Sequence, residues 1–285
     1  MALKDILVHL DASARGTQRL ALACDLAGRH SAHLIAVYVI EMPSPALFLG
    51  DPSGYVDPRF IEEIMSKARD AGMRDALRVE KEFRERLRRD GIEGEWRLVE
   101  GIPAEIVALH ARYADLAIVG QHDSSAGSAA GDWQIPAATL LSSGRPMLVV
   151  PYAGEFPVIG QSVLVAWKST REAARAVNDA LPLLQQAGTV TVLAINPERG
   201  IGGDGEVPAA DIAVHLARHG VKVTARHTLA RDISEGEVLL NMAEDMGADL
   251  IVAGGYGHSR MRELAFGGVT RTLLTTMTVP VLLSH

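Results

Sequence analysis

The sequence predicts an α/β protein made of two tandem, doubly wound, Rossmann-like domains, each with a five-stranded parallel sheet. Three observations carry that prediction. Short apolar runs alternate with stretches of helical periodicity along the chain, the order expected when helices cover both faces of a parallel sheet. The second half repeats the first: Ala114-Asp115-Leu116-Ala117-Ile118-Val119-Gly120 returns as Ala248-Asp249-Leu250-Ile251-Val252-Ala253-Gly254. The length of 285 residues, 48% of them hydrophobic, gives each copy enough chain for its own core.

The elements follow in order. The first strand, Asp5–Leu10, is a near-continuous apolar run, as a strand buried on both faces requires. Helical spacing then runs over Thr17–Arg29, followed by a strand at Leu34–Ile40. Residues Glu41–Pro58 hold four prolines and two glycines and read as a long surface loop. A long helix over Arg59–Arg89 comes next, and its charged run Lys81–Asp90 reads as a solvated face. Strands at Glu95–Glu100, Leu116–Gly120 and Pro146–Val150 alternate with helices at Pro103–Tyr113 and Gln134–Ser142, with Gly144 as a C-cap. A Pro- and Gly-containing linker, 152–160, separates domain 1–151 from domain 161–285. The second copy places strands at Ser162–Trp167, Thr189–Ile195, Lys222–Thr228, Leu250–Gly254 and Pro280–Leu283. Its helices fall at Glu172–Gln186, Ala209–His219, Glu235–Met246 and Leu264–Met277. The first strands match as well, Ile6–Asp11 against Val163–Lys168, and so do the last, Pro146–Val150 against Pro280–Leu283.

Composition narrows the function classes. A formal net charge of −7 argues against general nucleic-acid binding. The single cysteine, Cys24, excludes a disulfide framework and reads as a small buried hydrophobe. The first residues lack the pattern of a signal peptide, and no apolar window reaches the ~18 residues of a membrane helix. A soluble, cytoplasmic protein is expected.

The best candidate site is the glycine loop Gly254–Gly268, which leaves the fourth strand of the second copy. In open α/β sheets, ligands bind beyond the carboxyl ends of the strands, where the strand order reverses. Glycine permits a sharp turn and close approach to a ligand, and Gly267 and Gly268 stand near a helix start, where free N–H groups favour an anion. Arg260 and Arg262 add positive charge. Together these features describe a phosphate-binding loop.

With those residues in view, the chain resembles the universal stress protein family, and within it the tandem two-domain members. The family's nucleotide loop is Gly-x-x-Gly, nine residues, then Gly-Ser or Gly-Thr; Gly254, Gly257 and Gly267 stand in its register. The resemblance implies an adenine nucleotide alpha hydrolase-like fold with the two domains paired through their fifth strands as an internal pseudo-dimer. Met147–Val150 and Val279–Leu283 are apolar edges suited to that pairing. It also implies a non-enzymatic stress-response protein that binds ATP or AMP in the second domain, with magnesium accompanying ATP, and has further protein partners. The site residues carried over are Gly254, Gly257, His258, Arg260, Gly267, Gly268, Val269 and Thr270, joined by Ala166, Trp167, Lys168 and Ile195 at the strand ends. No catalytic residue or metal ligand is assigned. A homodimer of chains is left open.

This sequence departs from the family pattern at informative places. Gly268 replaces the Ser or Thr, and Lys168 stands where nucleotide-binding members tend to carry Asp at the end of the first strand. Trp167 has the size either to stack on adenine or to fill its pocket. The first half keeps Asp11, but Asp123 occupies the second glycine position and Trp133-Gln134 replaces the Gly-Ser pair, so it is expected to bind no triphosphate. Two other readings stay open: an interaction module with closed sites, and a slow ATP hydrolase. Gly200–Gly205 fits the dinucleotide fingerprint but follows a second strand, so it reads as a loop. His215 and His219, four apart on one helix, read as ordinary helix residues.

Overall fold

The computed structural model describes residues 2–42, 58–122, 134–197, 209–256 and 268–285. The first half runs β1 (Asp5–Leu10), α1 (Ala14–His30), β2 (His33–Glu41), α2 (Pro58–Asp90), β3 (Gly94–Gly101), α3 (Pro103–Ala111), β4 (Leu116–Gly120), α4 (Gln134–Ser142) and β5 (Met147–Val150). The second half follows as β6 (Ser162–Trp167), α5 (Arg171–Leu184), β7 (Thr189–Ile195), α6 (Ala210–Arg218), β8 (Val223–Thr228), α7 (Glu235–Asp245), β9 (Leu250–Gly254), α8 (Gly268–Thr276) and β10 (Val281–Ser284). Helix α1 starts ahead of the expected Thr17 because Ser13 caps it, its hydroxyl accepting from Gly16 N at 3.2 Å. Helix α8 is seen from Gly268 onward; the expected start at Leu264 falls outside the described residues.

All the strands join one ten-stranded sheet in the order β3-β2-β1-β4-β5-β10-β9-β6-β7-β8. Every neighbouring pair is parallel except the central one. There β5 and β10 run antiparallel, with Val149 opposite Val281 and Met147 opposite Leu283. An antiparallel pair at the centre makes the two halves a pseudo-dimer about a local two-fold, as the family resemblance implied. The pairing hides two strand edges and leaves β3 and β8 at the margins. Burial follows position: β1, β5 and β10 are buried along nearly their whole length, whereas β3 alternates and β8 is mostly exposed.

Two apolar layers flank the sheet, and each runs across both halves. On one face Ile6, Val8 and Leu10 meet α1 and α2, while Val163 and Val165 meet α5 and α6. On the other, Leu7 and Leu164 share a layer with Val107 of α3, Leu140 of α4, Leu239 of α7 and Leu273 of α8. Cys24 is buried in the first layer, and burial pushes its thiol up to about 12.

The repeated Ala-Asp-Leu has a structural cause. Asp115 accepts from the backbone N–H groups of Lys4 (2.7 Å) and Asp5 (3.1 Å) at the start of β1. Asp249 does the same for Gly160, Gln161 and Ser162 at the start of β6, at 2.9–3.2 Å. Each carboxylate satisfies backbone donors that enter the sheet without a partner strand. The interface between halves is reciprocal too. Buried Gln121 donates through Nε2 to Leu274 O at 3.1 Å, and Leu140 packs on Gly255, where a Cβ would lie 2.7 Å from its Cδ2.

Candidate functional site

Strand order reverses between β6 and β9: β7 and β8 extend to one side of β6, and the chain then returns to lay β9 on the other. This reversal is the switch point at which open α/β sheets take ligands. A cleft of about 300 Å³ opens there, at the carboxyl ends of β6, β7 and β9. It gathers eight of the sequence-predicted site residues: Ala166, Trp167, Lys168, Ile195, Gly254, Gly268, Val269 and Thr270. The other four, Gly257, His258, Arg260 and Gly267, lie outside the described residues.

Each wall has its own origin. Alternation along β6 sends Trp167 to the α5 and α6 layer, where it is partly buried, and Ala166 to the α7 and α8 layer with Ile195 and Val269. Trp167 is therefore part of the cleft wall, its ring partly buried against that layer. Lys168, just past the strand, is exposed at the rim, and its carbonyl accepts from Thr170 N. Helix α5 begins at the cleft, with Thr170 Oγ1 accepting from Ala173 N at 3.3 Å.

Sequence reasoning missed several members of the lining, among them Thr170, Glu172, Ser234, Glu235 and Gly236. They start α5 and α7, whose N-termini point to the same end of the sheet as the glycine loop; that geometry is a readable consequence of parallel strand–helix alternation. Glu172 is buried. Burial pushes its carboxyl up, but the hydrogen bond from Arg171 and the charges of Arg171 and His285 outweigh this and hold it below the usual range. Glu235 accepts from Asn196 Nδ2 at 3.0 Å. Ser234 and Glu237 form a capping box at the start of α7.

The glycines do different jobs. A Cβ on Gly254 would lie 2.5 Å from Ala173 N and 2.6 Å from the Glu172 carbonyl carbon, so α5 itself demands glycine there. Gly255 yields to Leu140 of the other half. Packing thus accounts for both without any ligand. Gly268 differs: a Cβ there meets nothing within 4 Å. It opens α8, whose first N–H groups have no helical acceptor. Thr270, within the first turn, is buried and accepts from Tyr256 N at 3.4 Å. Tyr256 holds a left-handed conformation (φ 58°), unusual for a bulky residue, and burial raises its phenol to about 12.

At the matching strand ends of the first half a long side chain of its own is buried. Arg19 of α1 is buried, donates Nε to His9 O at 3.1 Å, and pairs with Asp11 through Nη2. Its guanidinium lies under Gly120, where a Cβ would come 2.5 Å from Nη1. Asp11 also accepts from Ser13 N at 2.9 Å and from the Ser13 hydroxyl. Burial pushes the Asp11 carboxyl up, but Arg19, Ser13 and His9 together pull it down to about 2. Asp123 and Trp133 lie outside the described residues. The matching residues of the second half are Ala176 for Arg19 and Lys168 for Asp11, so neither partner of that ion pair is present.

Known proteins share this architecture. The crystal structure of a universal stress protein from Archaeoglobus fulgidus DSM 4304 superposes with a TM-score of 0.71 at 16% identity, covering 98% of this chain and 95% of that one. A functionally unknown protein from Pseudomonas aeruginosa PAO1 superposes with a TM-score of 0.59 at 15% identity, covering 99% and 92%. At these identities the likeness shows the fold alone. A search of curated proteins gives no match. The sequence model of the universal stress protein family matches twice, over residues 2–151 and 161–285, and with nearly the whole chain accounted for, this protein belongs to that family.

Proposed function

We propose that the second half binds an adenine nucleotide, ATP or AMP, and that the protein is a non-enzymatic stress-response component whose conformation or partners respond to that ligand. The observation that carries this reading is the cleft at the switch point between β6 and β9, which draws together residues far apart in sequence. Its apolar part, with Ala166, Leu193, Ile195, Leu239 and Val269, suits a planar base. The start of α8 offers N–H donors to a phosphate, and Lys168 adds positive charge at the rim. Glu172 and Glu235 disfavour a free polyphosphate anion in the same cleft, so ATP is expected as its magnesium complex. Among the described residues, no helix is long and apolar enough to cross a membrane.

Ligand-dependent thermal stability tests the reading. Ligand at a hundredfold its Kd adds about 2.7 kcal/mol, a rise in Tm of several degrees for a chain this size. An unchanged Tm with saturating ATP-Mg and AMP refutes it. Gly257→Asp, which copies the first half, is expected to abolish the rise. Gly268→Ser, which enters open space and restores a hydroxyl, is expected to enlarge it.

A second reading, an interaction module that works without nucleotide, is favoured by the packing roles of Gly254 and Gly255 and by the Arg19 side chain in the first half. It predicts no nucleotide effect in any variant.

A further inference from the structure

The outer face of α3 and α4 differs from its counterpart in the second half in a way that folding does not require. Val107 and Ala111 of α3 align with Leu239 and Ala243 of α7 through their shared place in one buried layer. On the opposite, solvent side α3 exposes Leu109, Tyr113 in the turn just past its end is 72% accessible, and α4 adds Leu141 at 52%. Arg112 Nε donates to Ser142 O at 3.3 Å, which ties the two helices together beside those side chains. The equivalent positions of α7 and α8 are Asn241, Asp245 and Thr275, all exposed and all polar. One half of the molecule thus presents an apolar helical face that the other half has made hydrophilic. Exposed large apolar side chains that cluster mark interaction surfaces.

We propose that this face pairs two copies of the chain through an antiparallel α3–α3 contact about a two-fold axis beside Leu109. The charges select this occupant. Glu105 and Arg112, both exposed, stand two helical turns apart on either side of Leu109. A two-fold axis passing beside Leu109, midway between positions 105 and 112, sets Glu105 of one copy against Arg112 of the other, and the reverse, and brings the two Leu109 side chains together across the axis. Such a patch is complementary to itself, as an isologous interface requires. The second half lacks this property: the residues matching Glu105 and Arg112 are Glu237 and Glu244, which would repel in the same arrangement.

Sedimentation velocity on the full chain over a range of concentrations tests the proposal. The native protein is expected to show a concentration-dependent dimer. Leu109→Arg, at a surface position, is expected to raise the dimer Kd by about tenfold or more, since central apolar contacts dominate interface energetics. Glu105→Arg and Arg112→Glu are each expected to weaken the dimer, and the double exchange to recover it. Asn241→Arg in the second half is expected to leave association unchanged. Circular dichroism melts show whether each variant stays folded. A native protein that is monomeric throughout overturns the proposal. So does a dimer indifferent to Leu109→Arg, or a double exchange that fails to recover association in folded protein.

Discussion

The first and second halves share strand order, helix placement and the capping of their first helices, yet their switch points are built in opposite ways. In the first half, Arg19 reaches from α1 under Gly120 and pairs with Asp11 at the end of β1. In the second, Ala176 and Lys168 hold those positions and a cleft of about 300 Å³ stands beside them. The comparison teaches that matched positions of a duplicated fold can hold a buried cation with its counter-ion in one half and stand beside a cleft in the other. It also separates two uses of glycine. Gly120 gives way to a side chain, whereas Gly254 gives way to the backbone of α5.

Five variants break or sharpen this comparison. The largest expected effect comes from exchanging the filled and open arrangements. Lys168→Asp together with Ala176→Arg copies the first half's ion pair into the second, and should abolish any nucleotide-dependent rise in Tm. Conversely, Arg19→Ala removes a buried guanidinium and leaves His9 O and Asp11 without it. Equilibrium urea unfolding should show a loss of about 2–4 kcal/mol. Next, Gly254→Ala forces a Cβ against the backbone of α5 and should cost about 1–3 kcal/mol. Gly120→Ala meets only the far end of the Arg19 side chain and should cost less; equal losses would contradict the distinction drawn between the two glycines.

The smallest effect concerns pH. The Asp11 carboxyl titrates at about 2 in the folded chain, below its ordinary value of 3.8. A folded-state value below the unfolded one means stabilisation that is fully present above the unfolded value and lost as pH falls from there toward the folded one. Stability should therefore decline between about pH 4 and pH 2 in part through Asp11. Asp11→Asn should flatten that limb in acid-unfolding measurements, and an unchanged slope would remove Arg19 and Ser13 as its source.

Much of the fold was legible in the sequence because burial on both faces of a parallel sheet imposes continuous apolar runs. Strands such as β1 and β4, together with their copies, follow directly from Ile6–Leu10 and Leu116–Val119 and the matching stretches. The antiparallel β5–β10 join was expected from the family resemblance, and the short apolar strands suit it. The site was legible only in part. Glycine spacing pointed to the strand end after β9, and the family resemblance added Ala166 and Ile195 at the strand ends, but Glu172, Ser234 and Glu235 were not foreseen. They enter the cleft because α5 and α7 both start at that end of the sheet, a relation in space between segments remote in sequence. Arg19 left a faint signal: it is a charged residue in the inward register of α1, between Gly16 and Ala23.

By itself, then, the sequence determined the duplication, the alternation of elements and the place where a ligand site would be looked for, because these depend on local periodicity and self-similarity. Only the tertiary structure decided what lies at each of the two equivalent places, a buried guanidinium in one and a cleft in the other. That outcome turns on whether a long side chain from a helix reaches a carboxylate at the end of a strand. The packing roles of Gly254 and Gly255 were settled at the same level, by how closely α5 and the other half approach the chain. Distances between elements are set by the folded core, and no spacing along the chain records them.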